Sequence, residues 1–466
     1  MKEIILSSPL ITAFVLLIFI IYAGVIFHYA SRDRKLVSNL EKIILGVFII
    51  SISGTTGAGM SPFDKLTPHI LTLQATTLPT IVGQFSFYIV AFFLLLSRIR
   101  YTLKDFIEVL ANLLLKAPFL FSLVLFSLFS FSWSNDPILT IKTTLVYLEV
   151  SLFAVYVGKQ FSWKELYPFW RWINIIVVIL SVYQAVKGNQ EPWMGILGHK
   201  NQFSFFMAQT AILWLMYAVY SPKQRRLSLA FVVLSVVALN KGGSGASKVL
   251  TVAMLGLWGY FGFLKKLPVK WAIVSVILFM ILSVGLTILV TENIEFIVVD
   301  TLNKDLTLTG RTDFWPKIIS KINQRPLFGY GIAGFWQPWR GAADPSSDII
   351  VAKTQFHPPH SHNGFLDLGL ELGWLGLSLY ILSFFNNLVK AVVYLSRNHL
   401  PESGLPLLVL TYSLMTNMTE TGLVGVTSVW FWYVVTTVRL TLDMSGKTSG
   451  ENKRSLASSS LHLKTD

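Results

Sequence analysis

The stretch "HPPHSHNGFLDLGLELGWLGLSLYILSFF", residues 357–385, decides how the rest of the chain is read. From Gly364 it is a long apolar run, and about 20 such residues suffice to cross a bilayer as a helix. At its head stand His357, His360, His362 and Asn363, and inside it Asp367 and Glu371. Asn363, Asp367 and Glu371 recur at intervals of four, which puts them on one helical face. Charges in a membrane segment are costly and normally face a cavity or a partner. The stripe is therefore expected to point into a helix bundle and line a wet, outward-facing pocket. On the neighbouring face Gly369 and Gly373 form a small-xxx-small pair that admits another helix.

The whole chain supports a membrane setting. Of 466 residues, 53% are hydrophobic and 13% charged, and the mean hydropathy is +0.60; such a chain cannot offer a soluble surface. Apolar segments are read at 4–29, 43–58, 79–97, 107–132, 138–157, 172–187, 203–220, 227–240, 248–263, 271–290, 363–384, 404–422 and 427–442. The expectation is an all-α polytopic membrane protein with about 12–14 transmembrane helices. Its parts are an N-terminal bundle (1–290), a loop (291–361), a C-terminal group of helices (362–442) and a disordered tail (443–466). The first segment is too long, and too weakly preceded by positive charge, for a cleaved signal peptide. The absence of cysteine excludes disulfides and thiolate metal sites.

A net charge of +14 does not point to nucleic acid, because the basic residues gather in short connections. These are Arg32, Arg34 and Lys35; Arg98, Arg100 and Lys104; Lys223, Arg225 and Arg226; and Lys265, Lys266 and Lys270. They alternate along the chain as cytoplasmic loops do. Residues 188–202, 241–247 and 291–361 then lie outside. The last stretch holds seven acidic and seven basic residues, and its neutrality suits a translocated loop.

A loop of that length usually serves a function. It contains an amphipathic helix with Trp315, Ile318, Ile319 and Ile322 on one face, Thr312 as a possible N-cap and Pro316 in the first turn or so. The helix can roof a cavity or merely cap the bundle. Arg311 stands at its start, where backbone N–H groups favour anions and a guanidinium can grip two phosphate oxygens; an ion pair with Asp313 is the plainer alternative. His362 stands at the N-terminus of the membrane helix, where the dipole favours a neutral imidazole able to accept a proton. A metal set of His357, His360, His362 and Asp367 matches no standard zinc spacing, so no metal is expected. Lys200 and Asn201 open the helix from 203, Lys248 follows a small-residue run without a Walker pattern, and Glu420 ends another outer segment.

"GHKNQ", "SGASK", "TGRTDFW", "FGYGIAGFW", "HSHNGFLDLGLELGWLG" and "NMTE", in this order over roughly residues 190–425, resemble the superfamily of O-antigen ligases and of O-antigen and exopolysaccharide polymerases, nearest to the exopolysaccharide polymerases. The resemblance implies a glycosyltransferase C-type fold with a large periplasmic loop in the bacterial inner membrane. It implies a sugar donor on undecaprenyl pyrophosphate, no metal or other cofactor, and possible association with a chain-length regulator. His362 falls on the family's catalytic histidine and is followed by Asn363, and Arg311 falls on an arginine proposed to hold pyrophosphate. A second family arginine falls on Lys248, which keeps the charge and loses the bidentate fork. Lys200, Asn201, His360, Asn363, Asp367, Glu371 and Glu420 complete the expected substrate-binding set. Three functions remain open at this point: a polymerase, a ligase acting on lipopolysaccharide core, and a transporter of lipid-linked sugars or polysaccharide. The sequence shows no clear internal repeat of the transporter kind.

Overall fold

The computed structural model describes residues 99–292, 311–350, 357–398 and 400–444, with isolated residues and short runs between 21 and 49. Among the described residues the chain is an all-α polytopic membrane protein without β-strands. Its helices are α1 (Ile99–Lys116), α2 (Pro118–Phe129), α3 (Pro137–Gln160), α4 (Trp163–Lys187), α5 (Lys200–Tyr220), α6 (Arg225–Gly242), α7 (Gly245–Leu264), α8 (Val269–Glu292), α9 (Arg311–Gln324), α10 (Gly364–Arg397), α11 (Leu405–Thr416) and α12 (Ser428–Met444). Six of them are long and apolar enough to cross a membrane, or up to seven if α1 and α2 together form one span. The segment expected at 79–97 lies outside the described residues, as does all of 4–29 but residues 21 and 25 and most of 43–58, of which 43–46 and 48–49 are helical.

Several boundaries differ from the expectation, each for a local reason. The segment read as one span at 107–132 is bent by 107°. Pro118 opens α2 and Ala117 leaves the helical region at φ −135°, ψ 50°, because proline lacks an N–H and crowds the residue before it. α10 extends to Arg397, well past the expected end at 384, because residues 386–397 continue it as helix. α12 runs to Met444, so the first residues of the expected tail are helical, and Arg439 pairs with Asp443 one turn on.

The core follows from which helices are buried on all sides. α5 is central, with 78% of its apolar window inside the molecule. Its Trp214 and Phe203 are fully buried, and Trp170 of α4 stacks on Trp432 of α12 at 4.0 Å between ring centroids. Lipid offers no hydrophobic driving force between helices, so close van der Waals packing of this kind holds the bundle. By contrast α8 exposes Leu278, Ile281, Leu282 and Leu289, as a lipid-facing helix should.

The segment 326–340 is fastened to the bundle from two sides. On one side Trp133 Nε1 donates to the Phe328 carbonyl (2.8 Å), and Thr140 Oγ1 donates to the Ile332 carbonyl (2.7 Å). On the other side it runs along α10, which is interrupted at Gly373 (φ 64°, ψ −169°). The interruption frees backbone groups, and the loop satisfies them. Tyr330 N–H donates to Leu370 O (2.8 Å), Gly331 N–H to Glu371 O (2.8 Å), and Trp374 N–H to Pro326 O (2.7 Å). Buried peptide groups must be paired, so the break and the loop specify each other. A Cβ on Gly373 would stand 2.5 Å from the Leu327 backbone, which is why glycine is needed there.

α9 lies on the first turns of α10. Phe314, Ile318 and Ile322 are buried with Leu370, and Ile322 Cδ1 comes within 3.0 Å of where a Cβ on Gly369 would be. The close partner of the Gly369–Gly373 face is therefore α9 and the loop after it. The buried stripe runs through Phe314 in place of Ile319, which is 44% exposed. α9 already includes Arg311, so Thr312 is inside the helix and does not cap it.

Candidate functional site

The N-terminal end of α10 gathers residues from four other stretches of chain. Asn363 is its N-cap, with Oδ1 accepting from Phe365 N–H (3.0 Å) and Leu366 N–H (3.3 Å). This is the ordinary work of asparagine at a helix start. The preceding residue, His362, has φ +55°, a left-handed backbone that histidine adopts more readily than most non-glycine residues. That turn folds the HSH segment back on itself. His362 N–H donates to His360 Nδ1 (3.1 Å), and the two imidazoles lie 4.1 Å apart.

Asp367, one turn into α10 and 4% exposed, is the bolt that holds this arrangement. Its carboxylate accepts from Ser361 N–H (3.1 Å), from Trp336 Nε1–H (2.9 Å) and from the Thr421 hydroxyl. Three segments are thereby tied to one side chain. Glu371, one turn further, accepts from Ala333 N–H (3.0 Å). The stripe expected to line an open pocket thus turns to the chain itself: Asn363 to its own helix start, Asp367 to Ser361, Trp336 and Thr421, and Glu371 to Ala333.

The residues that meet at an opening are different ones. Glu420 is buried just beyond α11, and its Oε1 accepts from Asn201 Nδ2 (2.6 Å) at the start of α5. Its Oε2 lies 4.0 Å from His362 Nδ1. Gly364 N–H donates to the carbonyls of Asn417 (2.9 Å) and Glu420 (3.0 Å), which locks the 417–420 turn against the head of α10. Behind Glu420 and Thr421 is a cavity of about 50 Å³, lined also by Gln202, Phe206, Tyr412 and Asn417. Among the neighbours of Glu420 are an amide and an imidazole.

The expected cations are positioned less completely. Lys200 is the first residue of α5, directly before Asn201. Lys248 is exposed in the first turn of α7, after the cap made by Ser244. The two helix starts are adjacent, because Gly242 packs against Ser204 and Phe203 of α5 so closely that a Cβ would stand 2.2 Å from the Ser204 hydroxyl. Among the described residues neither lysine's ammonium has a hydrogen bond or ion pair, although the Lys200 carbonyl accepts from the Ser204 hydroxyl (2.8 Å). The Arg311 side chain lies outside the described residues. Its helix is nevertheless fastened here, since Trp315, one turn after Arg311, donates from Nε1 to the Ser361 carbonyl (3.0 Å) next to His362.

The metal set weighed from sequence is not the one the fold assembles. His357 Nε2 is spent on the Ser346 carbonyl (2.9 Å), and Asp367 is occupied as described. His360, His362 and Glu420 instead bring three potential ligand atoms within 4.8 Å of one another. Thr421 went unnoticed in the sequence. It sits directly after "NMTE", yet only the fold shows it bonding Asp367 and standing 3.4 Å from His360 Nδ1.

Residues 229–381 match the O-Antigen ligase family. Exopolysaccharide production protein ExoQ of Rhizobium meliloti (strain 1021) is 24% identical over 318 residues, covering 65% of this chain and 71% of that protein. Both likenesses support the O-antigen ligase and polymerase superfamily. The superfamily match includes α7, α8, α9, the HSHN segment and the first half of α10, whereas Asn201 and Glu420 fall outside it. It supports an O-antigen ligase or polymerase type of function, a glycosyltransferase-like enzyme and lipid-linked polysaccharide substrates.

Proposed function

We propose that the protein is a polysaccharide polymerase of the bacterial inner membrane. It moves a glycan from an undecaprenyl-pyrophosphate donor to a hydroxyl of a second lipid-linked repeat, on the periplasmic side. The observation that carries this reading is the approach of His362 Nδ1, at the head of α10, to the carboxylate of Glu420 (4.0 Å), a residue that also lines the cavity. With Nδ1–H turned toward Glu420, Nε2 is the basic nitrogen, and the carboxylate steadies the imidazolium that forms on proton uptake. The acceptor hydroxyl gives its proton to His362 Nε2 while its oxygen bonds to the anomeric carbon. The bond from that carbon to the pyrophosphate oxygen breaks, and the lipid pyrophosphate leaves with the electron pair. Arg311, Lys248 and Lys200 are assigned to the developing negative charge, where preorganised cations act most strongly. No metal enters this transfer. Asn201 holds Glu420 in register, and Asp367 holds the His segment. A chain-length regulator is the natural partner of such an enzyme.

Transfer to a lipopolysaccharide core is the second reading, favoured by the family matched at 229–381. Purified protein in proteoliposomes, supplied with synthetic lipid-linked repeats and no core acceptor, separates the two. A ladder of lengthened glycans supports polymerisation. Transfer seen only on addition of core acceptor overturns it in favour of ligation, and movement of intact lipid-linked sugar across the bilayer without transfer would indicate a transporter.

A further inference from the structure

His360, His362 and Glu420 stand together with their ligand atoms within 4.8 Å of one another, at a place the transfer chemistry uses only in part. We propose that they form a site for one divalent transition-metal ion of the zinc class, and that the bound ion switches transfer off by occupying the imidazole of His362. The binding half stands on the cluster alone; the switching half rests on the base role given to His362 above.

The donor set selects the class of ion. Two imidazoles and a carboxylate suit zinc and its transition-metal neighbours, whereas magnesium and calcium prefer all-oxygen shells. Zinc commonly takes two histidines and a glutamate and keeps its fourth position for water. Tetrahedral ligands at zinc's bond lengths stand roughly 3.3 Å apart, so the cluster must tighten. Side-chain rotation can supply this, because each of the three ligands sits at the end of its own side chain.

Two further features fit a metal. Metal ligands are usually held from behind by hydrogen bonds, and here Asn201 grips Oε1 of Glu420 (2.6 Å) while Oε2 faces His362. The second feature is space. Glu420, alone of the three ligands, lines a cavity of about 50 Å³, which holds more than the roughly 10–15 Å³ that one water needs. If His360 binds through Nδ1, the ion displaces two modest contacts, the His362 N–H bond (3.1 Å) and the Thr421 hydroxyl (3.4 Å).

The test uses the purified full chain in nanodiscs, stripped with EDTA and titrated calorimetrically with zinc chloride, with magnesium chloride as the comparison. The expected result is one zinc per chain at micromolar affinity, no uptake of magnesium, and at least tenfold weaker zinc binding in both His360→Ala and Glu420→Gln. Size-exclusion profiles and circular dichroism confirm that the variants are folded. Absence of stoichiometric zinc, or unchanged affinity in folded variants, overturns the site. Transfer is then measured with and without zinc within each variant, so that the ratio is independent of its basal rate. A fall of at least tenfold in the natural protein, reversed by EDTA, with a ratio near one in His360→Ala, supports the switch. Zinc bound through these residues without loss of transfer overturns the switch and leaves the site standing. A chain without transfer activity refutes the function proposed above and leaves the calorimetric result intact.

Discussion

Asp367 offers the sharpest structural prediction, because one side chain secures three segments around the candidate base. Asp367→Ala removes the acceptor for Ser361 N–H (3.1 Å), Trp336 Nε1–H (2.9 Å) and the Thr421 hydroxyl. A buried donor left unsatisfied costs about 1–3 kcal/mol. Thr421 recovers part of its loss by turning to His360 Nδ1, 3.4 Å away, which leaves two orphaned N–H groups. Water entering the gap offsets part of their cost, so the expected loss of stability is about 3–5 kcal/mol, in the range measured when one partner of a buried charged network is removed. Asp367→Asn keeps one acceptor oxygen and should lose roughly half as much. The assay is equilibrium unfolding in mixed micelles followed by tryptophan fluorescence, with limited proteolysis of the outer loop as an independent readout. Exposed Lys248→Ala is the control, expected within about 0.5 kcal/mol of the natural protein. A change of less than about 0.5 kcal/mol for Asp367→Ala, with no new cleavage in the loop, would refute the bolt.

Three further outcomes follow from other contacts. Gly373→Ala forces a left-handed backbone on alanine and drives its Cβ to 2.5 Å from the Leu327 backbone, so it should destabilise by more than about 2 kcal/mol in the same unfolding assay. Asn201→Ala leaves the buried Glu420 carboxylate without its 2.6 Å donor, and a loss of about 1.5–3 kcal/mol is expected, together with slower transfer in the proteoliposome assay. Lys321→Ala removes an ion pair to Asp348 (2.8 Å) whose carboxylate is largely exposed, so it should cost no more than about 1 kcal/mol at neutral pH. Burial opposes ionisation of Asp348, but hydrogen bonding and charge from Lys321 and Lys317 outweigh it and hold its pKa below the ordinary carboxylate value. A depressed folded pKa means that this contribution is present above the unfolded value and lost as pH falls through the folded one. The difference between Lys321→Ala and the natural protein should therefore vanish in acid, as an unfolding series from neutral pH downward would show.

Much of the molecule was legible because hydropathy and helical period are local properties. The apolar run after Gly364 and the amphipathic 311–324 segment both led to helices of the expected kind. Proline told less than it could have: Pro118 splits an apolar run that hydropathy reads as continuous. At the candidate site the sequence named residues that the fold brings together, Asn201, His360, His362 and Glu420, and misjudged the direction of others. Period four correctly aligned Asn363, Asp367 and Glu371, but it could not say that the facing partner is the chain's own loop, since that depends on the break at Gly373 and on contacts from residues 326–336. The meeting of Asn201, His362 and Glu420 joins positions more than 200 residues apart and has no local signature. The position of the Arg311 side chain, which the sequence set opposite His362, lies outside the described residues.

The central claim is that His362, steadied by Glu420, takes the proton in glycan transfer. Its most direct test is the single-turnover transfer rate of His362→Ala in proteoliposomes, with folding checked by circular dichroism. A positioned base contributes about a hundred- to ten-thousand-fold, so the rate should fall by that factor while donor binding persists. A folded His362→Ala protein transferring within about threefold of the natural rate, well short of that range, would contradict the account.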